Sequence, residues 1–173
     1  MNTYPSSKLF AAPQSLESHS GKNEDKDFPA AECICNVVSN EHVNDDYKLM
    51  ILDAPPIALK ANAGQFFQLL CISADDHELA TRRPMSIYEV DVAARQIKFL
   101  YKCVGRGTQS MALLKNDDSV NIAGPFGVGF SLESEWKNVA VLGRGVGLAT
   151  LAPISQLASE KGVKVTAFIS ARS

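Results

Sequence analysis

In the stretch Arg82-Arg83-Pro84-Met85-Ser86-Ile87, the residue types suggest a ligand. A guanidinium pairs bidentately with a phosphate. Pro84 fixes the backbone beside it, and Ser86 offers a hydroxyl and a backbone N–H to a heteroaromatic ring. The same residues fit a solvated arginine pair ahead of an edge strand, and so short a motif does not decide between the two. A second stretch, Tyr101-Lys102-Cys103-Val104-Gly105-Arg106-Gly107-Thr108, ends one pattern and opens another. Its glycines let backbone approach a ligand, and a helix N-terminus favours an anion. Thr108 suits both an N-cap and a phosphate donor, with an ordinary capped turn as the competing reading. Gly124-Pro125-Phe126-Gly127-Val128-Gly129-Phe130 reads as a structural loop. Finally, Gly143-Arg144-Gly145-Val146-Gly147 sits between an apolar run and a helical pattern, the context of a dinucleotide-binding turn. Leu148 stands where the third glycine of G-x-G-x-x-G belongs, which weakens that fingerprint.

Other chemistries find little support. Cys33, Cys35, Cys71 and Cys103 form none of the C-x-x-C pairs that hold zinc or iron–sulfur clusters. Cys33 and Cys35 would share one face of a strand, and buried reduced thiols are the expected state of all four. His42 and His77 lie in polar stretches outside any motif, so no nucleophilic triad is visible. Asp75 and Asp76, near His77 and Glu78, fit a solvated loop better than a metal site. No metal ligand and no catalytic side chain is assigned.

The elements that must position these residues are short. Apolar runs at 33–38, 47–52, 65–72, 85–90, 96–104 and 119–123 read as six strands, separated by turn residues such as Pro55-Pro56 and Gly64. A short helix is expected over 108–114. Together these suggest a small antiparallel barrel. After Trp136 the pattern changes. The run 138–142 reads as a strand buried on both faces, 148–161 as a helix capped by Gly162, and 163–169 as a second strand. That is one β-α-β unit, the start of an α/β nucleotide-binding domain. Residues 1–30, polar and aperiodic, read as a flexible tail. The expected division is a tail at 1–30, a barrel domain at 31–134 and an incomplete α/β domain at 135–173.

Composition bounds the partners. The chain has 173 residues, 46% of them hydrophobic, and a formal net charge of -2. A core can form, and nothing points to nucleic acid or an anionic membrane. No apolar run approaches the roughly 20 residues of a membrane span. The N-terminus lacks the features of a secretory signal, so the cytoplasm is the default compartment.

Taken in order, the motifs resemble those of the ferredoxin reductase-like superfamily, above all the electron-transfer subunits of dihydroorotate dehydrogenase and related small subunits. The resemblance spans about residues 31–172 and implies a six-stranded antiparallel flavin barrel followed by a nucleotide-binding domain. It places the family's R-P-x-S element on Arg83, Pro84, Met85 and Ser86, with Arg83 on the flavin pyrophosphate and the others lining the ring. Ser86 and the backbone near it are expected on the N5 side. Leu100, Tyr101 and Lys102 are expected beside the flavin, and Gly107 and Thr108 on the pyrophosphate. The glycine-rich nicotinamide turn, usually G-G-G-x-G-x-A-P, falls on Gly143, Arg144, Gly145, Val146 and Gly147. Arg144 replaces a glycine, and Thr150 stands where the proline is usual.

The implied cofactors are FAD, with NAD(P)H in the full-length protein. A [2Fe–2S] centre would belong to a C-terminal segment, and the end at Ser173 reads as a truncation. Arg172 could meet a 2′-phosphate, though a loose terminus is the simpler reading. The implied function is flavin-dependent electron transfer between NAD(P)H, FAD and a partner oxidoreductase subunit or iron–sulfur centre. The alternative is a non-catalytic flavin-binding, docking or regulatory module. These 173 residues are not expected to be competent alone.

Overall fold

The computed structural model describes residues 30–73 and 76–170, with side chains for all of these except 72–80. Apart from Ala30, the expected tail lies outside the described residues, as do Asp75 and Arg172.

Alternating apolar and polar residues build the first part. Strands β1 (Ala31–His42), β2 (Tyr47–Asp53), β3 (Phe66–Ser73), β4 (Asp76–Ser86), β5 (Glu89–Asp91), β6 (Gln96–Lys102) and β7 (Ser119–Phe126) follow one another, with helix α1 (Arg106–Ala112) between β6 and β7. They form one antiparallel sheet in the order β4-β3-β7-β1-β2-β6-β5. The two edge strands, β4 and β5, are consecutive in the chain. Between them, the Ile87 N–H donates to the Gln65 carbonyl at 3.3 Å, and the Tyr88 N–H donates to the Lys98 carbonyl at 2.9 Å. The chain thus crosses from one edge of the curled sheet to the other.

This crossing corrects one expectation. The run 85–90 is not a single strand, because its hydrogen-bond partners change at Ile87 and Tyr88. Among the described residues, seven strands therefore stand where the six of a small antiparallel barrel were expected, in one curled antiparallel sheet compatible with that architecture. Asp76, His77 and Glu78 also belong to strand β4 rather than to a loop.

The inward face of each strand fills the barrel. Met50, Leu52, Phe67, Leu69, Ile97 and Phe99 are wholly buried, and Phe67 meets Phe99 edge-on with ring centroids 6.0 Å apart. Cys33 and Cys35 do share a face of β1, with Cys35 buried. Burial pushes the Cys35 thiol up to about 12. A bulge in β1 between Val37 and Ser39 shifts the alternation and turns Asn40 inward.

The second part is strand β8 (Asn138–Arg144), helix α2 (Leu148–Glu160) and strand β9 (Lys164–Ser170), with β8 and β9 paired in parallel. Ile154, Leu157 and Ala158 of α2 pack with Leu132 and Val163. Strand β8 is not buried on both faces as its apolar run suggested. Val141 and Gly143 are covered, whereas Leu142 is 79% exposed. One helix on a two-stranded sheet covers one face only. No helix among the described residues is long and apolar enough to cross a membrane.

Candidate functional site

The paired arginines have different surroundings, because adjacent residues of a strand point to opposite faces. Arg82 is fully engaged. Its Nη2 forms an ion pair with Glu32 Oε1 at 2.6 Å and donates to Asn121 Oδ1 at 2.8 Å, while Nη1 donates to the Gln68 carbonyl at 3.1 Å. Arg83 makes no ion pair with a described residue, and its Nη1 donates to the Arg82 carbonyl at 3.1 Å. Its side chain lies against Gly107 in the first turn of α1. A Cβ on Gly107 would stand 2.9 Å from Arg83 Nε and 3.3 Å from Cγ and Cζ. Glycine is what lets the helix and the guanidinium come this close. Arg83 is thus a half-buried cation without a carboxylate partner among the described residues. Its charge reaches Cys71, where burial pushes the thiol pKa up and Arg83 opposes the push.

Helix α1 begins two residues earlier than expected, with Gly105 rather than Thr108 as its N-cap. Thr108 sits third in the helix and reaches back. Its Oγ1 accepts from the N–H of Gly105 at 3.1 Å and of Val104 at 3.0 Å, and donates to the Gly105 carbonyl at 3.0 Å. The hydroxyl expected on a phosphate is therefore committed within its own turn.

The other end of α1 is tied to the barrel. Asn40 Nδ2 donates to the carbonyls of Met111 at 2.9 Å and Leu114 at 3.0 Å. Lys48 Nζ, a buried cation, donates to the Ala112 carbonyl at 2.8 Å, a favourable place beside a helix C-terminus. Tyr101 Oη donates to Asn40 Oδ1 at 2.8 Å. The Tyr101 side chain, expected beside the flavin, points into the core, and burial raises its pKa. Three successive residues of a strand cannot share a face, so with Tyr101 inward Leu100 and Lys102 point the other way.

Leu100 and Lys102 line a groove of about 650 Å³ between the barrel and the second part, together with Tyr47, Arg144, Gly145 and Leu148. Tyr47 pairs with Lys102 in the β2–β6 register, and Lys102 Nζ lies 5.7 Å from its ring centroid. Lys102 also forms an ion pair with Asp46 at 2.8 Å. Tyr47 and Asp46 were not singled out in the sequence; pairing 47–52 against 96–102 would have pointed to them. Arg144 ends β8 as an exposed side chain on the wall of this groove. Gly143 is a packing residue, since a Cβ there would stand 2.9 Å from Leu148 Cδ2 and 3.0 Å from Leu151 Cδ1. Val146 and Gly147 follow as exposed residues of a short turn.

Ser86 ends β4, and its Oγ lies 2.9 Å from Thr150 Oγ1 in the first turn of α2. Pro84 beside it is exposed, and Met85 packs against the core. Residues 124–126, expected in a loop, instead end β7, and the loop of residues 127–130 follows next to this edge. Gln65 Nε2 donates to the Gly127 carbonyl at 2.9 Å, and Phe66 is paired with both Ser86 and Phe126. Thr150 was not singled out as a site residue, and its contact with Ser86 leaves no local signal.

FAD is the group implied by the resemblance, and the donors present suit it. Among the described residues no carboxylate neutralises Arg83, the Ser86 hydroxyl lies at a junction between two units, and the exposed Pro84 stands between the two residues in sequence. Among the described residues, no group of three or more His, Cys, Asp and Glu side chains could hold a metal ion.

No family model matches the chain. It is 37% identical over 123 residues to the dihydroorotate dehydrogenase B (NAD(+)) electron transfer subunit of Desulforamulus reducens, covering 71% of this chain and 46% of that protein. With the subunit of the same description from Bacillus velezensis it shares 33% identity over 131 residues, covering 75% and 50%. The chain spans about half the length of these curated relatives. Among solved structures, an NADH-dependent reduced ferredoxin-NADP oxidoreductase aligns with a TM-score of 0.72 at 25% identity, covering 82% of this chain and 49% of that one. The ferredoxin reductase of carbazole 1,9a-dioxygenase aligns with a TM-score of 0.71 at 21% identity, covering 84% and 44%, which shows a shared fold. Fold and sequence agree: the chain is similar to the dihydroorotate dehydrogenase B electron transfer subunits over about half their length, and it shares the fold of the ferredoxin reductases.

Proposed function

We propose that this chain is the flavin-binding part of an electron-transfer protein, with the first unit of a nicotinamide-nucleotide domain attached. Residues 31–134 would hold FAD and residues 135–173 would begin the NAD(P)H site. The observation that carries this reading is Arg83. It is a half-buried guanidinium with no carboxylate partner among the described residues, held against Gly107, and it precedes by three residues a serine at the junction with α2. When bound, FAD supplies the exchange of reducing equivalents between NAD(P)H and a partner subunit or iron–sulfur centre. The chain's own residues bind and orient. Arg83 neutralises the pyrophosphate, Gly107 admits the close approach, and Pro84, Met85 and Ser86 border the ring.

Leu100 and Lys102, with the turn from Gly143 to Gly147, form the side open to the nucleotide. Arg144, on the groove wall, would meet a phosphate of the nucleotide. The four cysteines are free and dispersed over the barrel, so an iron–sulfur acceptor would draw its ligands from elsewhere. A partner oxidoreductase subunit and a cytoplasmic setting belong to the same proposal.

Purified chain incubated with FAD, then freed of excess, should be yellow with the visible absorption of oxidised flavin. Protein that stays colourless after reconstitution refutes the proposal. Yellow protein that NADH and NADPH fail to bleach identifies the alternative, a flavin module without a working nucleotide side.

A further inference from the structure

A hydroxyl of the second unit reaches the barrel at the strand end assigned to the flavin. Thr150 Oγ1 lies 2.9 Å from Ser86 Oγ, joining the first turn of α2 to the end of β4. A hydroxyl on a helix usually bonds a carbonyl of its own preceding turn. Ser155 of the same helix does this, donating to the Leu151 carbonyl at 2.9 Å. Thr150 turns away from its helix instead.

The consequence follows from counting protons. Each hydroxyl has one proton to donate and lone pairs to accept. When Thr150 donates to Ser86, the Ser86 proton is released for another acceptor and the Ser86 rotamer is fixed. A lone serine at a strand end would be free to turn into its own backbone. Both residues are half-buried, so the pair is shielded from water while one side stays accessible.

We propose that Thr150 is a positioning residue for Ser86, donating to its hydroxyl so that Ser86 in turn donates to the nitrogen edge of a bound flavin ring. The inference rests on the reading of Ser86 as a flavin residue. It adds that the nucleotide unit tunes the flavin through one hydrogen bond, with no contact of its own to the ring.

The test uses the full chain loaded with FAD. Thr150→Val keeps the branched shape and removes the hydroxyl, while Thr150→Ser keeps the hydroxyl. Losing one neutral hydrogen bond weakens FAD retention about two- to tenfold in Thr150→Val. Its visible band and flavin midpoint potential should shift, and Thr150→Ser should restore both. In a Ser86→Ala background, Thr150→Val should change nothing further. Should valine unsettle the fold, Thr150→Pro removes the hydroxyl within a first turn that tolerates proline and carries the same expectation. Wild-type spectrum and potential in the hydroxyl-free variant, or a full additional effect in the Ser86→Ala background, overturns the proposal. Wild-type chain that takes up no FAD overturns the flavin reading itself, so the two failures are distinct.

Discussion

Replacing Gly107 by alanine should separate flavin binding from folding. The new methyl would stand 2.9 Å from Arg83 Nε and 3.3 Å from its Cγ and Cζ. The obstructing atoms belong to a flexible side chain, so the backbone of α1 need not move; the guanidinium must. Alanine is also the better helix former, by about 1 kcal/mol over glycine in a helix interior. That gain offsets a rotamer cost of similar size, and stability should stay within about 1 kcal/mol of wild type. Binding should suffer, because a displaced Arg83 loses its charge-assisted hydrogen bonds to the pyrophosphate. Such bonds contribute about 1.5–3 kcal/mol. At about 1.4 kcal/mol per tenfold, FAD affinity should fall about 10- to 150-fold.

Fluorescence titration with FAD reads the affinity, and urea unfolding of the flavin-free chain reads the stability. Arg83→Ala should match the loss. Arg82→Ala should leave FAD affinity near wild type, since Arg82 is occupied by Glu32, Asn121 and Gln68. Wild-type affinity in Gly107→Ala, or equal losses in the two arginine variants, would refute the placement of the pyrophosphate at Arg83.

Two further expectations concern the frame around the site. Tyr101→Phe leaves the buried Asn40 Oδ1 without its donor and should cost about 1–3 kcal/mol in urea unfolding; unchanged stability would mean the network does not anchor α1. Burial pushes the Cys35 thiol from 9.0 to about 12, so the folded chain holds that proton more tightly than the unfolded one. Its contribution to stability is intact below pH about 8.5 and is lost as pH rises toward 12. Urea melts from about pH 8 to about pH 11 should show a steeper decline in wild type than in Cys35→Ala, and parallel declines would contradict the burial argument.

Much of the fold is local enough to be legible in the residues. Period-two alternation marks 96–102 as a strand, and Asp53-Ala54-Pro55-Pro56 stops another because proline has no donor for a ladder. The order of the Arg-Pro-Met-Ser element, the Gly-Thr turn and the later glycine turn is a property of sequence, and it is enough to carry the resemblance. Face is different. Alternation shows that Arg82 and Arg83 diverge, but only the partners supplied by β1, β7 and α1 show which one is neutralised and which lies open. The same holds at Leu100, Tyr101 and Lys102, where the Asn40 network turns the tyrosine inward and leaves its neighbours on the groove.

The break at Ile87 and Tyr88 is likewise invisible in an apolar run, because it is set by Gln65 and Lys98 on two other segments. Asn40 meets Met111 across 71 positions, and Thr150 meets Ser86 across 64. Residue types and spacing determined which elements form and which cofactor chemistry they suit. Only the tertiary structure decided which side chains of those elements face the site, because that depends on strands and helices brought together from distant parts of the chain.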